Sequence, residues 1–493
     1  MFEKITPEQA GISSKAITDF IQKLEKRGAA THGFLMMKGD KIFAEGYWKP
    51  FHQDFCHRMY SQTKSFVGVA IGLLEEEKKL SLDDKIVDYF SEKIDGEIQP
   101  YLAEQTIREM LMMTTVGASS SWFVSDDSDR THMYLNKQRR MHPSGTLWSY
   151  DSPGSQVLSS LVEKLSGKSL LAYMKEKLFD KMGTFQTATI LKTPNGDSWG
   201  DSAMVCTLRD MASFGRLVMN YGIWNGERLM NEGYLREATS KLVDNQEDSH
   251  YSSYHQGYGY QIWRVCGNGF AFVGMGDQLT VCYPDKDFLF ACTSDNQGTS
   301  LIREMIFAEL EDSFVDKIQK TPLPENSVAQ RELETLVSKL KLRSAKGASD
   351  SSFRKELNGK EYVCQDNPMG IIKFSFHFSD ETRGEFRYTN AQGDKVLPFG
   401  VNHNVFGKFP QLGYANEYGR VPTTNGFMYD DAVSMAWLDE KKLILFVQII
   451  DKYFGNMSAE FSFKGKEAYA YFTKTAEYFL TEYQGALVGK RKE

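Results

Sequence analysis

The chain has 493 residues, 41% of them hydrophobic and 25% charged, with a net charge of −7. That balance excludes a disordered, collagen-like or fibrous chain, and the mildly acidic charge gives no reason to expect nucleic acid as a partner. No apolar run approaches the roughly 18 to 20 residues of a membrane-spanning helix, and Met1–Gln22 carries charges where a secretory signal would be apolar. The six cysteines are scattered without a C-x-x-C pair, and the nine histidines form no H-x-x-x-H or H-E-x-x-H group. These features predict a cytoplasmic chain with free, mostly buried thiols, no metal and no membrane association.

In chain order, residues 33–48 alternate apolar and polar about Lys38-Gly39-Asp40 and predict a β-hairpin. After Ser61, Phe66, Val67, Ala70, Leu73 and Leu74 recur at helical spacing, with a charged end at Glu75–Lys79. Further helices are expected at 105–113, 155–165, 169–178 and 207–220. The period then changes, and 257–265, 269–283 and 287–293 predict three consecutive strands, followed by a helix at 299–315. Pro322, Pro324, Asn326 and Ser327 mark a break, and a charged amphipathic helix is expected over 328–342. From 353 onward alternation dominates, at 371–378, 384–388, 433–438, 442–450 and 459–463. The division expected is a domain over 1–318, a linker with an amphipathic helix over 319–352, and an antiparallel β domain over 353–493. The first domain reads as α+β, with strands from both of its ends sharing one antiparallel sheet beside a helical half.

The sharpest local feature is Tyr60-Ser61-Gln62-Thr63-Lys64-Ser65-Phe66. Residues i and i+3 share a helix face, so Ser61 and Lys64 point the same way. A serine hydroxyl is a poor nucleophile until a base takes its proton, and a lysine is such a base once burial lowers its pKa. S-x-x-K is a weak pattern by itself, and the chain holds two more, Ser338/Lys341 and Ser352/Lys355. Context separates them: Ser61 opens an apolar helix containing Gly68, Ala70 and Gly72, whereas the other two lie in the linker region.

Several stretches in order resemble the serine β-lactamase-like hydrolases, the superfamily of class C β-lactamases, penicillin-binding D,D-peptidases, family VIII esterases and nylon-oligomer hydrolases. These are Met59–Phe66, Leu80–Ile86, Thr106–Thr115, Pro143–Thr146, Tyr150–Ser155, Leu208–Gly215 and Gly274–Gln278, and the resemblance spans about residues 5–315. It implies a β-lactamase-like antiparallel sheet flanked by helices plus a helical subdomain, and a hydrolase without metal or organic cofactor. Ser61 is the implied nucleophile, with Lys64 and Tyr150 managing the proton. The backbone N–H groups of Ser61 and Met275 are the implied oxyanion hole. The residue two after the tyrosine is usually Asn and here is Ser152, a candidate substrate contact with less reach. Asp151 between them is expected to face away.

The third motif departs further. Phe272-Val273-Gly274 stand where many relatives carry Lys-Thr-Gly or His-x-Gly, and are the candidate substrate-binding strand. Gly274 would admit close approach of an acyl group, whereas Phe272 lacks the cation that recognises the carboxylate of penicillins or D-Ala-D-Ala peptides. A literal K-T at Lys192-Thr193 is followed by Pro194 and is set aside. Trp122, Phe123, Trp148, Tyr254, Tyr258, Tyr260 and Trp263 could wall an apolar pocket or be ordinary packing, and 117–142 reads as a lid or a solvated surface. His377 and His403 are isolated and read as structural. The expectation is therefore an esterase or amidase forming an acyl-serine intermediate on a small-molecule ester or amide. A D-amino acid peptidase/amidase or β-lactamase, and a non-catalytic binding protein on the same scaffold, are the alternatives. Oligomeric state is left open.

Overall fold

The computed structural model describes residues 2–115, 127–137, 142–245, 253–298, 301–411, 428–476, 480 and 483–492. Among these, the chain divides into two compact units, one up to Lys341 and the other from Leu342 onward. No helix among the described residues is long and apolar enough to cross a membrane.

The first unit is built on seven strands. These are β1 (Glu3–Lys4), β2 (Thr31–Lys38), β3 (Lys41–Tyr47), β4 (Trp263–Val265), β5 (Gly269–Gly274), β6 (Gln278–Tyr283) and β7 (Phe288–Ser294), in the order β1-β3-β2-β7-β6-β5-β4. The expected sharing of one sheet by both ends of the domain is seen in the antiparallel pairing of β7 with β2, Phe290 opposite Met36. Apart from β1, which runs parallel to β3, neighbours are antiparallel.

The run 269–283 is not one strand but a hairpin, β5 and β6, with Gly274 paired to Gln278. The turn needs left-handed backbone, supplied by Gly276 (φ +75°) and Asp277 (φ +67°). Both strands are buried at every position, β5 with apolar and small residues and β6 with Gln278 and Thr280 enclosed beside its apolar side chains.

Alternate residues of each strand feed two cores. Leu35, Met37, Phe270, Phe272 and Leu289 face one layer, and Phe34, Met36, Ala271, Val273 and Phe290 face the other. The first layer contains α2 (Thr63–Glu76), α3 (Ser152–Ser166) and α4 (Leu208–Met219). Every residue of α2 from Thr63 to Leu74 is buried, as befits a helix that is apolar or small on all sides. Phe66 of α2 stacks on Phe214 of α4 at 4.0 Å. The second layer contains α1 (Ser14–Lys26) and α5 (Leu301–Glu309), with Phe20 edge-on to Phe290 and Phe314.

A sixth helix, α6 (Ser327–Ser338), buries Leu333 in the second layer with Leu336 and Val337 beside it. The helix expected in a linker is thus packed into the first unit, because Leu333, Leu336 and Val337 give it an apolar face that must be covered. Among the described residues, the helices Arg130–Asn136, inside the polar stretch 117–142, and Glu232–Ala238 lack a clear signal in the sequence. Each is started by a side-chain cap, Asp129 and Asn231 respectively.

The second unit is an antiparallel β-barrel closed by a parallel pairing of Gly393–Val401 with Asp430–Asp439 (Gly400 opposite Ser434). Nine strands form the ring, and Val405–Lys408 adds to Asp430–Asp439 outside it. Its core is aromatic: Phe374, Phe376, Phe386 and Phe461 have ring centroids 5.0–6.2 Å apart. His377 lies in this unit, its Nε2 3.0 Å from Ser375 Oγ, and His403 bonds the Val401 carbonyl.

Candidate active site

Ser61 sits in a 3-10 turn, Tyr60–Gln62, which runs directly into α2. The preceding Tyr60 has φ +47°, sparsely populated for a bulky side chain and worth roughly 1–3 kcal/mol of strain. Neighbouring contacts impose it. Thr63 Oγ1 donates to the Tyr60 carbonyl at 2.6 Å and accepts from Met204 N–H at 3.0 Å, while Met59 N–H donates to the Met204 carbonyl. The Arg58 guanidinium, fully buried, lies 4.4 Å from the Tyr60 ring centroid and 4.6 Å from that of Trp199. Ser61 itself stays half-buried.

Lys64 lies one helical turn further on and is almost wholly buried. Its Nζ is 3.1 Å from Ser61 Oγ and donates to the Asp201 carbonyl at 2.7 Å. The Asp201 carboxylate is 3.9 Å away and equally buried. Burial pushes the Asp201 carboxyl above the usual range, against the pull of Lys64, Arg130 and Arg58. Helix α3 holds this loop: Gln156 donates to the Ser198 carbonyl and accepts from Gly200 N–H, both at 2.9 Å.

Tyr150 precedes α3, and Lys64 Nζ lies 5.0 Å from its ring centroid. The ring is half-buried and stacks on Trp263 at 5.5 Å. Trp148, Tyr254, Tyr258 and His255 surround the same indole at 5.1–5.7 Å. Four of the aromatic residues singled out from the sequence therefore form one cluster beside Tyr150. Tyr260 does not join it: its hydroxyl bonds Glu237 and Arg108. Trp122 and Phe123 lie outside the described residues.

Asp151 is engaged by its own helix and by Thr115. Its carboxylate caps α3 at Gly154 N–H and accepts from Thr115 Oγ1 at 2.6 Å. Ser152 is the first, half-buried residue of α3.

The hairpin β5–β6 reaches the nucleophile from the sheet. A Cβ on Gly274 would lie 2.3 Å from the Met59 carbonyl oxygen, so β5 can approach the serine turn only as glycine. Met275 follows in the turn. Gln278 braces it, donating to the Met275 and Ser294 carbonyls at 3.0 and 2.6 Å. Arg303 holds Asp277 from the other side at 2.8 Å. Phe272 has no exposed surface and packs on Phe214 and Phe270, and Val273 faces the opposite core. Lys192 is exposed and bonds the carbonyl of Gly196 within its own turn.

Two residues in this arrangement carry no mark in the sequence. One is Asp201. The other is Gln261, which has φ +59° and is buried. Its carbonyl accepts from Ser65 Oγ of α2, its Oε1 from Ser155 Oγ of α3, and its Nε2 donates to the Met110 and Leu111 carbonyls. One residue, through its backbone carbonyl and its side-chain amide, thereby ties together the helices that carry Lys64 and follow Tyr150.

The β-lactamase family model matches residues 16–304. A curated relative, the 6-aminohexanoate-dimer hydrolase of Paenarthrobacter ureafaciens, is 24% identical over 53% of this chain and 72% of its own length. Among solved structures, a putative 6-aminohexanoate-dimer hydrolase from Bacillus anthracis superposes with a TM-score of 0.55 at 18% identity, over 66% of this chain and 89% of that one. The octameric penicillin-binding protein homologue from Pyrococcus abyssi covers 96% of this chain and 99% of its own, with a TM-score of 0.50 at 16% identity. These structural likenesses speak to the fold. With the family model spanning more than half the chain, the serine–lysine turn and the ordered motifs have a common explanation: the chain belongs to the β-lactamase family, within the serine β-lactamase-like hydrolases.

Proposed function

We propose that the protein cleaves an ester or amide through an acyl-serine intermediate, with Ser61 as nucleophile and Lys64 as general base. The observation that carries this reading is the 3.1 Å separation of Lys64 Nζ from the Oγ of a half-buried Ser61. That distance is within reach for proton transfer. In the acylation step Ser61 Oγ bonds the carbonyl carbon and its proton passes to Lys64. The oxyanion sits against the Ser61 and Met275 N–H groups, a contact of the kind worth roughly 3 kcal/mol per donor. Tyr150, its ring beside Lys64, passes its proton to the leaving group as the bond from the acyl carbon breaks, and takes the proton held by Lys64 in its place. Water then attacks the acyl carbon, releasing the acid and restoring Ser61.

The substrate reading rests on what surrounds these groups. Phe272 is core, and Arg303, the cation beside this turn, is engaged by Asp277. No side chain of the third motif thus offers a free cation to a carboxylate, which disfavours penicillins and D-Ala-D-Ala peptides. The aromatic cluster on Trp263 favours an apolar acyl or aryl group. The relative named as a hydrolase of a 6-aminohexanoate dimer supports an amide as well as an ester.

The test is labelling with a fluorophosphonate probe followed by intact-mass measurement. Wild type gains one adduct and Ser61→Ala gains none; equal labelling of both, or none of either, refutes the mechanism and leaves a binding protein. A panel of p-nitrophenyl esters, linear amides, D-amino acid amides and nitrocefin then ranks the substrates, with short apolar esters and linear amides expected ahead of nitrocefin.

A further inference from the structure

The arrangement around Lys64 contains a charge that the steps above do not use. Asp201 gives Lys64 two different contacts, its backbone carbonyl at 2.7 Å and its carboxylate at 3.9 Å. Both side chains are within a few per cent of full burial, so little water screens the pair. The groups facing it are Ser61 and the Tyr150 ring on the Lys64 side, and Arg58 and Arg130 on the Asp201 side. Arg58 and Arg130 both lie over the Trp199 ring, at 4.6 and 4.7 Å, so the indole carries two cations next to the Asp201 loop.

We infer that Asp201 is a positioning residue whose carboxylate sets the basicity of Lys64, stabilising the ammonium that forms when Lys64 takes the Ser61 proton. This rests on the reading of Lys64 as the base. When Ser61 Oγ attacks, charge develops in opposite places, negative on the carbonyl oxygen and positive on Nζ. A fixed carboxylate 3.9 Å from Nζ favours that state over the resting one. The cost is that a stronger base is protonated at higher pH, so activity is lost earlier on acidification. One cause therefore moves two observables in linked directions, which loss of packing alone would not do.

The experiment is the pH dependence of fluorophosphonate labelling, read as the second-order rate constant between pH 5 and 10 for wild type and Asp201→Asn. In this reaction Ser61 Oγ bonds phosphorus, fluoride leaves with the bonding pair, and the hydroxyl proton passes through Lys64 to solvent. Removing the carboxylate charge moves the acidic limb about 1 to 3 pH units lower. It also lowers the alkaline plateau about threefold to thirtyfold, because a weaker base accepts the proton less readily. Asp201→Glu, which keeps the charge, retains a limb closer to wild type. Coincident limbs for wild type and Asp201→Asn overturn the inference. An unlabelled wild type overturns the serine-hydrolase reading instead, so the two failures are distinct. If Asp201→Asn does not fold, Asp201→Ser carries the same comparison. Should neither neutral variant fold while Asp201→Glu does, the carboxylate serves the fold rather than the base, which also overturns the inference.

Discussion

His57 Nε2 lies 2.8 Å from His32 Nδ1, with both rings buried one strand away from the serine turn. His57 Nδ1 is 2.8 Å from the Arg58 carbonyl, which can only accept, so Nδ1 carries the proton and Nε2 receives one from His32. A second proton on His57 would break this pair. Burial accordingly pushes the His57 pKa down from 6.5 to about 3. Between those values the unfolded chain binds the proton and the folded one does not, so stability rises with pH across this window and is lost on acidification. The loss amounts to roughly 2 kcal/mol between pH 7.5 and pH 5. Thermal unfolding measured across that range checks it, and His57→Gln flattens the slope.

Gly274 is the second test of geometry. A methyl group there would meet the Met59 carbonyl oxygen at 2.3 Å, a backbone atom that cannot swing aside as a side chain can. The hairpin or the serine turn must move. Gly274→Ala is expected to cost about 1–3 kcal/mol of stability. It also costs about 100-fold or more in kcat/KM, since Met275 N–H would no longer sit where the oxyanion forms. Activity falling no further than stability predicts would detach Met275 from the chemistry. Chemical denaturation and esterase kinetics on the same preparation give both numbers.

The serine–lysine pair is legible in the sequence because its spacing is local: three residues on a helix are neighbours whatever the rest of the fold does. The hairpin, the central helices and the alternating strands of the second unit are legible for the same reason. What is hidden is long-range or two-sided. Asp201 reaches Lys64 across 137 positions and Gln261 reaches Ser65 across 196, and neither has a neighbour pattern that announces it. The run 269–283 reads as one strand because every residue of β5 and β6 is buried, although Gly274, Gly276 and Asp277 mark the turn between them. Helix α6 resembles a linker element in its Pro-flanked, charged setting, and only the packing of Leu333 assigns it to the first unit.

Gln261 is expected to matter beyond its own hydrogen bonds. Replacing it with Leu removes three buried side-chain hydrogen bonds, to Ser155 Oγ and to the Met110 and Leu111 carbonyls, while Ser155 keeps the Asp151 carbonyl, Leu111 the residue 261 N–H and Met110 the Met113 N–H. Each lost hydrogen bond is worth roughly 0.5–1.5 kcal/mol, so the variant loses about 2–4 kcal/mol in total. Gln261→Glu keeps the acceptor for Ser155 but sets a carboxyl oxygen against the Met110 and Leu111 carbonyls, so it must hold a proton there and its deficit grows as pH rises. Urea denaturation of the three proteins orders them; a Leu variant as stable as wild type contradicts the clamp.

Ser61 and Lys64 are expected to separate catalysis from stability. Ser61→Ala removes a hydroxyl whose partner, Lys64, keeps the Asp201 carbonyl and carboxylate. Activity is abolished while stability stays within about 0.5 kcal/mol of wild type. Lys64→Met also abolishes activity, but it leaves the Asp201 carboxylate buried with only Arg58 and Arg130 to balance it. Removing one partner of a buried pair typically costs about 3–5 kcal/mol. The sign of its pH dependence follows from the same charge. Burial already raises the Asp201 pKa, and losing the lysine raises it further, so the carboxyl can stay neutral at low pH and must ionise as pH rises. The deficit of Lys64→Met relative to wild type therefore grows as pH rises through the raised Asp201 pKa of the wild type and is larger at pH 8 than at pH 5. Paired melts of Ser61→Ala, Lys64→Met and wild type at those two pH values measure it, and a deficit that shrinks with rising pH would mean that Asp201 is not carrying the charge assigned to it.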